Sequence, residues 1–244
     1  YIEYYLQWKV LKSVENTIFC FHENGFLEDG MDTILPAFAE YSKTHPSLKL
    51  LIKMPHYEEL YNSVYEHHNE SSKMSKLFPV QTKKKLDMYR LKEMIAALGI
   101  ENNIEIIERN LAVSDIIAYI SKSDTLIFAS RGCFVPPQVY ASIILGRKTI
   151  ISSHHTMLSP FNTFCTIVDS ELCSFPEELE VPPSCLNTVF LAGRTRADEL
   201  MNKLDDEHPR ITNTVLMDIY KKCSNLVETT FVEGKKKRDS VDQN

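Results

Sequence analysis

The chain has 244 residues, 43% hydrophobic and 25% charged, the balance of a soluble globular protein long enough to bury a core. Its net charge of −6 excludes the basic field that binding to nucleic acid or to an anionic membrane requires. No apolar run approaches the roughly 18 residues of a membrane helix, and the six cysteines form neither a C-x-x-C pair nor, with histidine, a zinc spacing.

Cys20, Cys133, Cys165, Cys173, Cys185 and Cys223 read as reduced thiols of a cytosolic-type environment. A Cys165–Cys173 or Cys173–Cys185 disulfide is the alternative for a lumenal chain. There is no signal-peptide pattern, and a sequence opening on Tyr1 is expected to be a piece of a longer protein. The expected location is the cytoplasm or the cytosolic face of a membrane.

Residues 1–15 read as a linker or leading helix. A strand is predicted over 17–21, then a polar loop ending at Gly30, then a helix over 31–41 with Ile34, Leu35 and Phe38 on one face. The second strand covers 48–53 and stops at Pro55; a polar insertion near 61–80 follows. A helix over 83–98 closes at Gly99, in the C-cap place, before a strand over 104–107. Ser114 is placed to cap the next helix, which leads to a buried strand over 125–129. Pro136-Pro137 opens another helix, followed by strands over 148–152 and 166–168. Helices over 196–204 and 211–229 close a domain spanning 16–231. The tail 232–244, with Lys235-Lys236-Lys237-Arg238, is expected to be disordered and basic. Strands alternating with amphipathic helices predict an α/β fold: a mostly parallel, Rossmann-like sheet with helices on both faces.

Several segments, in order, resemble the retaining, group 1 type of GT-B glycosyltransferases. Asp29-Gly30-Met31-Asp32-Thr33-Ile34-Leu35-Pro36-Ala37-Phe38 is similar to that family's Lys-Gly-x-Asp-x-Leu-x-x-Ala-Phe run, and His45-Pro46 is typical before its second strand. Leu91 to Ile104, with Leu98-Gly99-Ile100 and Asn102-Asn103, looks like its helix–turn–strand unit. Ser114 to Asp124, and then Thr125 to Gly132, resemble its next helix and the strand edging the donor pocket. Ala197 to Asp206 resembles the late donor-domain helix. The resemblance covers roughly 16–231 and implies the C-terminal, nucleotide-sugar-binding half of a GT-B fold.

It further implies a nucleotide base against Arg109-Asn110-Leu111, and a diphosphate between the loop His22–Gly25 and the turn Arg131–Pro137. The implied site residues are Asn24, Gly25, Lys53, Asn110, Leu111, Arg131, Gly132, Cys133, Phe134 and Val135. No metal or other cofactor is implied, because helix dipoles and protein cations neutralise the donor in this family. An acceptor-binding domain would come from upstream or from a partner chain.

The residues depart from the family pattern where its chemistry is concentrated. Asn24 stands in the place of a phosphate-binding Arg, and Asp29 in that of a Lys. An acid there repels a diphosphate and the charge of its leaving group. The two glutamates that hold the donor sugar and the ribose fall on Cys133 and Ala141, the second on Val139 by another alignment. The Gly-rich turn has become Gly132-Cys133-Phe134-Val135-Pro136-Pro137, whose prolines remove two N–H donors. Arg131 reads either as a phosphate ligand or as a structurally paired residue. Lys53 reads as a solvated strand-end lysine or a pocket cation, His22 as a core or a donor-site histidine. His154-His155 read as an incidental loop pair or as pocket lining, and Tyr140 as helix core rather than a stacking platform. Three functions follow: a glycosyltransferase donor domain; a catalytically degenerate relative acting as a binding or regulatory partner; or a transferase of the capsule or teichoic-acid type with another site layout.

Overall fold

The computed structural model describes residues 16–23, 26, 29–54, 80–131, 135–153, 155, 161–173, 192–207, 211–212, 214–219 and 221. In chain order the elements are β1 (Thr17–Phe21), α1 (Met31–Ser42), β2 (Lys49–Met54), α2 (Val80–Leu98), β3 (Ile104–Glu108), α3 (Val113–Lys122), β4 (Thr125–Phe128) and α4 (Pro137–Ile144). Then come β5 (Lys148–Ser152), β6 (Thr166–Val168), β7 (Ser170–Cys173), β8 (Ala192–Thr195) and α5 (Ala197–Asp205). Residues 214–219 are also helical. The segments 1–15 and 55–79, with nearly all of the predicted insertion, lie outside the described residues, as does the tail.

Six strands form one sheet in the order β3-β2-β1-β4-β5-β6, and every pairing in it is parallel. The chain builds outward from β1 through β2 to β3, then returns to lay β4 on the other side of β1. This is the Rossmann-like arrangement that the alternation of elements predicts. Each central strand sends alternate residues to opposite faces, as the pleat requires. Ile18 and Cys20 of β1, Ile127 of β4 and Ile150 of β5 join Met31, Ile34, Leu35 and Phe38 of α1, Leu91 and Ile95 of α2, and Leu200 of α5 in one core. Phe19 and Phe21, Leu126 and Phe128, and Ile151 join Ile116, Ile117 and Ile120 of α3 and Val139 and Ile143 of α4 in the other. Helices therefore cover both faces, and β1 and β4 are buried along their whole length.

Gly99 closes α2 with φ +66, the left-handed cap conformation expected of it. Two local features differ from the sequence reading. Ser114 is not a cap: α3 starts a residue earlier, at Val113, and Ala112 occupies the cap position with no side-chain hydrogen bond. Its carbonyl instead accepts the first helical bonds, from Asp115 and Ile116. Beyond β6, an antiparallel pair, β7 and β8, forms a small second sheet where no strands were predicted.

Cys20 and Cys165 carry free thiols on opposite faces of the sheet, which leaves no Cys165–Cys173 bridge. Burial pushes the Cys165 thiol up to about 12. Burial first and the Asp29 charge second raise that of Cys20 well above its usual range. Since the thiolate is the reactive form, neither is expected to be alkylated by iodoacetamide at pH 8 in the native protein, and both are expected to react in urea. Peptide mapping reads this; native labelling of either would contradict the packing.

Candidate functional site

The site follows from the strand order. In an open parallel sheet ligands bind beyond the carboxyl ends of the strands, where neighbouring connections run to opposite sides. Here that point lies between β1 and β4. Past β1 come His22 and Glu23; past β4 come Ala129, Ser130 and Arg131; past β2's Lys53 comes the strand end at Met54. The first turn of α1 stands over this crevice. Gly30, its N-cap, has φ 71 and packs so tightly on β4's end that an added Cβ would lie 2.4 Å from the Ala129 carbonyl oxygen.

The backbone donors of that first turn are largely engaged within the chain. The Met31 N–H donates to the Phe26 carbonyl at 3.0 Å, and the Thr33 and Ile34 N–H groups donate to the Gly30 carbonyl, each at 2.9 Å. The Thr33 hydroxyl donates to the Thr195 carbonyl at 3.1 Å, fastening α1 to β8. At α4, Pro136 is the N-cap and Pro137 follows it, so these two positions offer no N–H. The helix starts thus supply dipole rather than free donors.

The charged side chains at the crevice come as acid–base pairs. Arg131 is 6% exposed, and its Nη2 donates to both carboxylate oxygens of Asp32, in α1's first turn, at 2.7 and 2.6 Å. Lys53 is buried rather than solvated, and its Nζ donates to Glu23 Oε1 at 2.7 Å. His22 is wholly buried; its Nδ1 lies 3.3 Å from Asp29 Oδ2 and its ring meets Phe26 edge-on. The His22 N–H donates to the Lys53 carbonyl at 2.9 Å, carrying the β1–β2 pairing past the end of β1. Two permanent cations thus face three carboxylates, so the described part of the crevice presents no surplus positive charge. On the far side, His155 Nε2 donates to the Ser130 carbonyl at 2.8 Å and its ring packs on Phe128, so this histidine braces the end of β4.

The chain is similar to solved glycosyltransferases. One from Rickettsia africae is 17% identical with a TM-score of 0.47, over 84% of this chain and 40% of that one. WaaG, a glycosyltransferase involved in lipopolysaccharide biosynthesis, is 12% identical with a TM-score of 0.47, over 84% of this chain and 42% of its own. HepE from Anabaena, solved in complex with UDP-glucose, is 13% identical with a TM-score of 0.44, over 86% of this chain and 49% of its own. This chain therefore spans less than half the length of each. No protein-family profile matches the sequence, and no curated protein matches it at a significant level.

Of the residues singled out in the sequence, the fold brings Lys53 and Arg131 to the crevice, each already bound to an acid. Asn110 and Leu111 follow β3, the edge strand, which lies three strand spacings, roughly 14 Å, from β4. Arg109 beside them donates from Nη2 to the Tyr119 hydroxyl at 2.9 Å. Leu111 and Val135 both pack on the core under α3 and α4. Tyr140 packs there too, edge-on to Phe161. Asn24, Gly25, Gly132, Cys133 and Phe134 lie outside the described residues, as does His154. Glu23 and Asp32 belong to the site without having been singled out; an acid in the first helical turn, opposite the arginine that ends a central strand, is the signal that points to Asp32. Among the described residues no group of His, Cys, Asp and Glu could hold a metal ion, and no helix is long and apolar enough to cross a membrane.

Proposed function

We propose that this chain is the donor-binding half of a glycosyltransferase-like protein, which holds a nucleotide-diphosphate sugar across the switch point between β1 and β4. The observation that carries the reading is the position of Arg131: the parallel order sets it at the carboxyl end of β4, against the first turn of α1. A guanidinium and a helix N-terminus converge there on the place where such sheets bind phosphate. The diphosphate would be held by Arg131 and Lys53, with Asn24, Gly25, Gly132, Cys133, Phe134 and Val135 as further candidate contacts. The base would rest against Asn110 and Leu111. The acceptor would be bound by a domain or chain other than the one described.

Calorimetric titration with UDP, GDP, ADP and their sugars tests this. One nucleotide is expected to bind saturably, and Arg131→Ala to weaken it about 10- to 100-fold, the loss of a charge-assisted hydrogen bond of about 1.5–3 kcal/mol. Absence of binding by every nucleotide to the full-length protein would sink the reading. The alternative function would draw on the pairing of Arg131, Lys53 and His22 with Asp32, Glu23 and Asp29. A domain whose donor cations are internally neutralised suits a binding or regulatory partner without turnover. Sugar transfer by the full-length protein would exclude that second role as the whole account; nucleotide binding without transfer would favour it.

A further inference from the structure

Arg131 carries five N–H donors in a planar fork. Of these five, Nη2 donates to Asp32, at 2.7 and 2.6 Å. Among the described residues the buried Nε–H of Arg131 has no acceptor, although a buried donor is ordinarily satisfied. The residue is more than nine-tenths buried, so water does not substitute. Its partner stands in the first turn of a 12-residue helix, where the dipole favours negative charge. A carboxylate seated on Nη2 is a poor complement to this fork. A phosphate takes Nε and Nη2 together through two parallel bonds, and so satisfies the orphaned donor.

We propose that Asp32 is an internal competitor for Arg131, holding the guanidinium until the diphosphate of a nucleotide takes its place. This rests on the nucleotide-binding reading above and adds the regulation of that site. In the exchange Asp32 gives up Nη2 and turns outward. It is 12% exposed and stays at the positive end of α1, which keeps its charge stabilised. Arg131 then passes from one anion to another without being left bare. The ligand's apparent affinity is lowered by the fraction of the protein in which Asp32 occupies the guanidinium.

The test uses UDP and inorganic pyrophosphate as probes, titrated calorimetrically at one ionic strength into the wild type, Asp32→Asn and Asp32→Ser, with thermal melts to establish that each folds. UDP is expected to bind the Asp32 variants about 10-fold or more tightly than the wild type, and the gain to vanish in Asp32→Asn combined with Arg131→Gln. Pyrophosphate is expected to follow the same order. Because the variants also remove a buried partner, a measurement on the wild type accompanies them. The Arg131 Nε–H resonance is expected to shift downfield when UDP saturates the protein. Wild-type binding with no gain in the Asp32 variants, or with an unmoved Nε–H signal, overturns the competition and leaves the nucleotide reading standing. No binding by any form overturns both.

Discussion

Replacing Gly30 with alanine is expected to destabilise the domain by about 3–4 kcal/mol, against about 1 kcal/mol for the same change at Gly99. Both glycines have left-handed backbones, with φ +71 and +66. That conformation alone costs an L-residue about 1–2 kcal/mol. They differ in what a side chain would meet. At Gly99 no atom lies within 4 Å of an added Cβ, whereas at Gly30 the Ala129 carbonyl oxygen lies at 2.4 Å and the Ala129 Cβ at 3.1 Å. Ala129 directly follows β4, which is held between β1 and β5, so the strain cannot be relieved by turning a flexible side chain. Either α1 moves away from the sheet or the end of β4 bends, and both disturb the setting of Arg131. Urea unfolding of the two variants measures the contrast. Equal costs would mean that α1 does not approach β4 as closely as described.

Removing Arg131 alone is expected to cost about 3–5 kcal/mol, because it leaves the Asp32 carboxylate largely buried without its cation. Arg131→Met keeps most of the apolar stem and so isolates the charge. Arg131→Met with Asp32→Leu is expected to recover most of the loss, since a buried ion pair contributes little net stability over a well-packed apolar pair. The double-mutant cycle should therefore show strong favourable coupling. Lys53→Met is expected to cost only about 1 kcal/mol, because its partner Glu23 is 37% exposed and water takes over its solvation. Additive effects at Arg131 and Asp32, in chemical denaturation near neutral pH, would contradict the pairing.

The parts of the fold that rest on local pattern were legible in the sequence. The run Thr17–Phe21 is apolar at every position but Thr17, as a strand buried on both faces requires. Ile34, Leu35 and Phe38 share the buried face of α1, and Gly99 ends α2 as its place predicted. What was not legible depends on residues far apart in the chain. Lys53 and Glu23, 30 positions apart, meet because β2 pairs with β1; Arg131 and Asp32, 99 positions apart, meet only because β4 returns beside β1. No spacing along the sequence encodes that return. Lys53 read as solvated because a lysine ends a strand; the side chain is instead buried and bonded to Glu23, a partner that only the β1–β2 pairing supplies. Ser114 has good capping chemistry but falls inside the helix, and capping depends on backbone position to within one residue. The β7–β8 pair escaped because its strands are four residues long and stand in a stretch without clear alternation.

We propose that a nucleotide diphosphate binds at the crevice between β1 and β4. Hydrogen–deuterium exchange of the full-length protein, with and without saturating UDP, GDP or ADP, tests it most directly. With the nucleotide that binds, slower exchange is expected in peptides covering residues 22–34 and 129–137, together with a smaller effect over 109–111. The outer helices α2 and α5 should be unchanged. Unaltered exchange at both 22–34 and 129–137, or protection confined to another part of the chain, would contradict the account.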